Sequence, residues 1–150
     1  MSFLHMIEVK DYPELDALKA LFVIPVTMRK VVANQDRVEW VIEDIRRHPL
    51  AMFVLSYLPG NGQIAVSHNM WITMTQRNRG IATALRKFKD WVCYEAGIKL
   101  VMCTVSSINA AQLKIMKKDG WDRCAGYKER KHSVSVYTKI PRNPFKELRP

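Results

Sequence analysis

Six consecutive residues carry the clearest chemical signal in the sequence: Arg77-Asn78-Arg79-Gly80-Ile81-Ala82. A glycine ahead of a helix can take a tight turn and lets a ligand come close to the backbone. The first-turn N–H groups of the helix lack intrahelical partners, and the helix dipole favours negative charge beside them. Arg77 and Arg79 add charge-assisted donors suited to phosphate oxygens. The segment reads as a phosphate-binding loop. It lacks the Gly-Lys-Ser/Thr ending that Mg²⁺-nucleotide chemistry requires, so it is a poor match to a P-loop. Upstream, His68 is a candidate general base, because an ordinary histidine titrates near neutrality. A histidine packed at a strand surface is the alternative.

These residues need elements to hold them. Gln63 to Met74 reads as a long strand leading to the loop, and Ala51 to Tyr57 as its hairpin partner across Pro59-Gly60-Asn61-Gly62. From Ile81 the period becomes helical, with Ile81, Leu85, Phe88 and Val92 on one face, Arg86, Lys87, Lys89 and Asp90 elsewhere, and Gly97 as the stop. Leu100 to Val105 is a short buried strand. Asn109 to Lys118 is a helix stopped by Gly120, and Asp122 to Tyr127 with Ser133 to Lys139 form a last hairpin around Lys128–His132. In the first third, His5 to Val9 reads as a strand. Asp11, Pro13 and Glu14 start a helix carrying Leu15, Leu18 and Phe22. Asp36 with Glu39 resembles a capping box for a second helix along Val38, Val41, Ile42 and Ile45, ended by Pro49. This order predicts a single α+β domain over residues 1–140, with an extended tail over 141–150.

Composition narrows the class. The 150 residues are 48% hydrophobic, enough for one globular core. No apolar run reaches the roughly 18–20 residues that span a bilayer, and Glu8 and Asp11 interrupt any leader-like start. A cytoplasmic protein without a membrane partner is the expectation. Cys93, Cys103 and Cys124 show no CxxC spacing, and His5, His48, His68 and His132 stand apart, so neither a disulfide framework nor a metal site is predicted. Charge is unevenly placed. Residues 1–75 hold seven Lys/Arg against eight Asp/Glu, whereas residues 76–150 hold seventeen against six, for a net +10 overall. Such a basic half calls for an anionic partner, or serves as a solvated surface. Met70, Met74, Met102 and Met116 read as core, as do Trp40, Trp91 and Trp121 by their positions. Trp71, just before the loop, could line an acceptor pocket or stack on a base. Lys128-Glu129-Arg130-Lys131 is a charged hairpin tip, solvated or used for docking.

The segment around the loop resembles the GNAT (Gcn5-related N-acetyltransferase) superfamily. Its motif A is a strand, then Arg/Gln-x-x-Gly-x-Gly/Ala, then a helix, and residues 77–82 fit it at every specified position. Leu100 to Val105 matches the next family strand. The following family helix opens on Asn and closes on Gly-Phe, matched here by Asn109 and Gly120-Trp121. The resemblance covers residues 51–140 well and the first fifty in outline. It implies a GNAT-like fold with a central mixed, mostly antiparallel sheet flanked by helices.

It also implies direct acetyl transfer from acetyl-CoA to an amine, without a metal. Residues Ile72, Thr73 and Met74 would supply the strand edge that pairs with the pantetheine arm. Arg77, Asn78, Arg79, Gly80, Ile81, Ala82 and Thr83 would hold the diphosphate, and Asn109 the pantetheine. Many family members place a general-acid tyrosine where this chain has Met116; Tyr127, Tyr137 and Ser107 are the substitutes available. A thiolate leaving group, with a pKa near ~8.5, does not demand a strong acid. The acceptor is open between a nucleic acid such as aminoacyl-tRNA, a protein lysine and a small amine, and a homodimer is compatible with the sequence. A GNAT-like fold that binds nucleic acid or another partner without turnover is the alternative function.

Overall fold

A computed structural model describes residues 3–68 and 70–145. Four antiparallel strands come first: β1 (Thr27–Asn34), β2 (Arg37–Glu43), β3 (Pro49–Leu58) and β4 (Asn61–Ser67). The two-residue β5 (Trp71–Ile72) follows, then helix α2 (Ile81–Glu95), β6 (Leu100–Ser106), α3 (Ala110–Lys118), and the hairpin β7 (Asp122–Glu129) and β8 (His132–Lys139). Helix α1 (Leu15–Ala20) precedes them all. The sheet runs β1-β2-β3-β4-β6-β8-β7, with β5 paired to β3. Only β4 and β6 are parallel, and α2 is the crossover that joins them.

The core lies on one face. Trp40 of β2 stacks on Phe53 of β3 at 5.1 Å, and Phe53 meets Phe88 of α2 at 5.8 Å. Tyr12 sits edge-on to Phe88 at 4.8 Å, and Leu18 of α1 is buried in the same cluster. On α3, Met116 touches Cys103 of β6, while Lys139 of β8 pairs with Asp90 of α2. Helices α1, α2 and α3 therefore share this face. Among the described residues no helix lies on the opposite face, which carries Arg29, Glu43, Arg37, Ser56, His68 and Trp71.

Several sequence expectations are corrected. Residues 36–49 are not a helix: Val38, Trp40 and Ile42 alternate inward, each almost fully buried, and Arg37–Glu43 is a central strand. Its apolar set also satisfies a helical period, and the neighbouring strands on both sides decide between the two readings. Asp36 is no cap; its N–H donates to Asn34 Oδ1 inside the β1–β2 turn. Strand β1 was not foreseen. Residues 5–9 form parts of two 3₁₀ turns, Leu4–Met6 and Val9–Asp11, in place of a strand. The strand expected to run to Met74 ends at Ser67, and Met74, expected in the core, is 77% exposed at the start of a 3₁₀ turn. At the C-terminal end Pro141 is buried and Phe145 packs 5.7 Å from Tyr12; residues 146–150 lie outside the described residues. No described helix is long and apolar enough to cross a membrane, and no metal-ligating cluster occurs among the described residues.

Candidate active site

The site begins where two parallel strands part. Strands β4 and β6 pair through Ile64 with Leu100, Ala65 with Val101 and Val66 with Met102. Beyond that rung β6 continues to Ser106 against β8. The chain leaving β4 turns instead toward β3: the His68 N–H donates to Val54 O at 2.9 Å, Trp71 and Ile72 pair with Met52 and Ala51, and Thr73 N–H donates to Leu50 O at 2.8 Å. A gap opens between β6 and the chain at His68 and at Trp71–Thr73. By the register of the pairing its first open rung is Ser67 opposite Cys103.

The loop of residues 77–82 follows at once. Gln76 is buried and its Oε1 accepts from Val23 N–H at 3.4 Å, which ties the loop to the N-terminal segment. Arg77 folds back, its Nε donating to Ile72 O at 3.1 Å. Asn78 (φ 64°) and Gly80 (φ 79°) are left-handed, and Gly80 is the N-cap of α2 with no side-chain acceptor on the first-turn amides. A Cβ at Gly80 would meet open space, so glycine is required there by backbone conformation. Arg79 is exposed and has no partner among the described residues. Uncapped amides, a helix N-terminus and a free guanidinium suit a diphosphate.

His68 lies on the helix-free face. Its Nε2 shares a 2.8 Å hydrogen bond with Ser56 Oγ of β3. Partial burial, and then the Arg37 guanidinium, hold its pKa below the usual histidine value. The imidazole is therefore neutral under physiological conditions. Trp71, 43% exposed, is on the same face. The sequence-predicted acid substitutes scatter. Tyr137 pairs with Cys103 on the helix face, Tyr127 is exposed on the edge strand β7, and Ser107 Oγ accepts from Ser133 N–H at 3.0 Å where β6 ends. Asn109 caps α3, accepting from Gln112 N–H at 3.1 Å. Met116 is 4% exposed, its Sδ 3.7 Å from Cys103 Sγ, a packed core position.

One residue escaped the sequence reading. Lys89, assigned to the polar side of α2, turns toward the sheet and donates to Ser67 Oγ at 3.0 Å, with Trp121 against it at 6.0 Å. No sequence signal distinguishes it from its solvated neighbours. A separate cavity of about 450 Å³ opens beside the C-terminal end of α3, lined by Asp90, Asp119, Asp122 and Lys139 among others. Its lining is balanced in charge, with Lys87, Lys139 and Arg142 against Asp90, Asp119 and Asp122, so it shows no preference for one sign of ligand.

The architecture was compared with known proteins. It resembles a protein from Desulfovibrio desulfuricans described as an acetyltransferase of the GNAT family, with a TM-score of 0.64 and 12% identity over 71% of this chain and 70% of the other. The chain has the GNAT fold. Nourseothricin acetyltransferase shares this GNAT architecture over 88% of the present chain and 96% of its own, at 14% identity and TM-score 0.60. So does a spermidine/spermine N-acetyltransferase from Vibrio cholerae, at 12% identity and TM-score 0.60 over 79% and 73% of the two chains. No protein-family model and no curated protein matches the sequence. At such identities the GNAT likeness is one of backbone architecture, while side-chain roles must come from the site itself.

Proposed function

We propose that this chain is an acetyl-CoA-dependent N-acetyltransferase. The observation that carries the reading is the continuity of the β4/β6 gap with the uncapped N-terminus of α2. A ligand with a diphosphate at one end and an extended arm at the other matches that shape. Arg77, Arg79 and the amides of residues 80–83 would hold the diphosphate. Residues 72–74, with Asn109 across the gap, would line the arm; Asn109 Oδ1 is occupied as a cap, leaving its side-chain N–H₂ to donate. Acetyl-CoA supplies the activated acyl thioester. The residues of the chain must then provide a neutral amine. An alkyl ammonium has a pKa near ~10.4, so a base is needed at neutral pH. His68, neutral and tethered to Ser56, is that base, and Trp71 borders the face from which the amine approaches.

For the acceptor we favour an anionic macromolecule such as aminoacyl-tRNA, on the strength of the basic second half. Its affinity should fall steeply with salt; a flat response would remove it. The second reading, a binding module without turnover, draws on Met116, whose core packing leaves no α3 hydroxyl in the gap.

Thermal melting tests the cofactor. Acetyl-CoA at a hundredfold its Kd should add about 2.7 kcal/mol, and an Arg77→Ala/Arg79→Ala double variant should lose most of the shift. No shift at millimolar acetyl-CoA would defeat the reading. Release of CoA with any amine would eliminate the binding-module alternative.

A further inference from the structure

We infer that Lys89 is the proton donor for the departing thiolate, taking the part that Met116 cannot play. The inference rests on the acetyltransferase reading above and adds a residue to it. Strands β4 and β6 separate after Val66 and Met102, so Ser67 and Cys103 form the first open rung on the helix side. Lys89 rises from α2 directly beneath that rung: its Nζ donates to Ser67 Oγ at 3.0 Å. The Cys103 thiol is within its electrostatic reach and in turn touches Met116 at 3.7 Å. A cation thus stands at the floor of the gap, beside the position where Met116 offers no acidic hydrogen.

Its surroundings suit the task. Lys89 keeps some exposure along its stem, but its ammonium end is desolvated, and that desolvation lowers its pKa from the ordinary lysine value. Cys93 and Asp90 on its own helix and Cys103 on β6 oppose the shift, and Arg86 adds to it. On β8, Lys139 is engaged by Asp90 at 3.3 Å and flanks the same Trp121 ring at 5.9 Å; on the α3 side, Asp119 is held by Arg86 at 2.9 Å. Among the described residues no carboxylate pairs with Lys89, and its hydrogen-bond partner is the neutral Ser67 hydroxyl. A lowered lysine lies nearer a thiol's ordinary pKa of about 8.5, the matching that favours proton transfer. In the step, the amine nitrogen bonds to the acyl carbon and the carbon–sulfur bond breaks with its electron pair on sulfur. The ammonium proton passes to that sulfur, giving CoA thiol and neutral Lys89. The proton leaving the amine goes to His68.

The deciding measurement is the ionisation of bound CoA thiol, followed by thiolate ultraviolet absorbance in wild type, Lys89→Met and Lys89→Arg. With the cation in place the bound thiol should ionise about one pH unit below free CoA. It should move back up in Lys89→Met and stay low in Lys89→Arg. Acetylation of hydroxylamine near neutral pH should fall about tenfold to hundredfold in both variants, and the decline expected of the wild type at alkaline pH, where Lys89 loses its proton, should be absent from them. Melting curves establish that each variant is folded, and the arginine variant serves if methionine is not accepted. Identical thiol titration in wild type and Lys89→Met overturns the inference while leaving the acetyltransferase reading intact. Failure of wild type to bind CoA overturns both.

Discussion

Ser56 on β3 and His68 just beyond β4 are joined by a 2.8 Å hydrogen bond on the face of the sheet that no described helix covers. The bond fixes the orientation of the ring, and because a hydroxyl can donate or accept it is compatible with either tautomer. Burial and Arg37 depress the His68 pKa, so the cationic form is disfavoured in the fold. NMR titration of the ring should give a midpoint below 6.5, and Arg37→Ala should raise it. The sign for stability follows. The unfolded chain binds the proton more readily, so this group's contribution is full above the unfolded pKa and is lost as pH falls through the lowered folded one. Turnover should show an acid limb at the same low midpoint, moving up in Arg37→Ala; a limb unmoved by that change counts against His68 as the base.

Gly80→Ala should destabilise the protein by about 1–2 kcal/mol, the penalty of a left-handed L-residue. No atom crowds the new methyl, so urea denaturation reads conformation alone. An unchanged midpoint would show that the turn before α2 is not left-handed.

Asn109 has two separable duties. Asn109→Ala removes the cap of α3 and should cost about 1 kcal/mol. Asn109→Asp retains a capping oxygen but loses the side-chain N–H₂. It should keep the stability and weaken acetyl-CoA binding in a melting assay, where an unaltered shift would confine Asn109 to capping.

Met116→Tyr tests whether the missing tyrosine could be restored. The site is packed against Cys103, so the larger ring should cost about 1–3 kcal/mol in denaturation and bring no gain in turnover. A tolerated tyrosine with faster turnover would place the acid on α3 and remove Lys89 from that part.

The loop leading into α2 was legible because its signal is local: one glycine, two arginines and the onset of a helical period lie within a few residues. Asn109 and Gly120 were equally readable, as a cap and a left-handed stop at φ 75°. The first third was not. Val38, Val41, Ile42 and Ile45 satisfy a helical stripe, yet Ile45 is 84% exposed and Trp40 between them is fully buried, as strand alternation requires. Strand β1 has a largely exposed pattern with Arg29 and Lys30 at its centre, and its identity comes from pairing with β2. Lys89 was hidden for a different reason. A lysine on a helix's polar side reads as solvated, and only the parting of two distant strands turns it inward.

Helix α2 and the turn before it are braced by residues from the first part of the chain: Glu14 grips Lys87 at 2.6 Å and Tyr12 meets Phe88 at 4.8 Å on the helix, and Val23 N–H reaches Gln76 Oε1 at 3.4 Å ahead of it. During synthesis residues 12–23 therefore emerge long before these partners, and the β1–β4 meander, which binds Leu4 through Tyr57 and Ile7 through Lys30, can assemble first. The turn before α2 should take its final shape once α2 has cleared the ribosome and packed against that segment. Contacts of such long sequence separation form slowly. The nascent chain would have no competent binding end until its middle third is free, and a bulky fusion before Tyr12 should delay that closure more than one placed after Pro144.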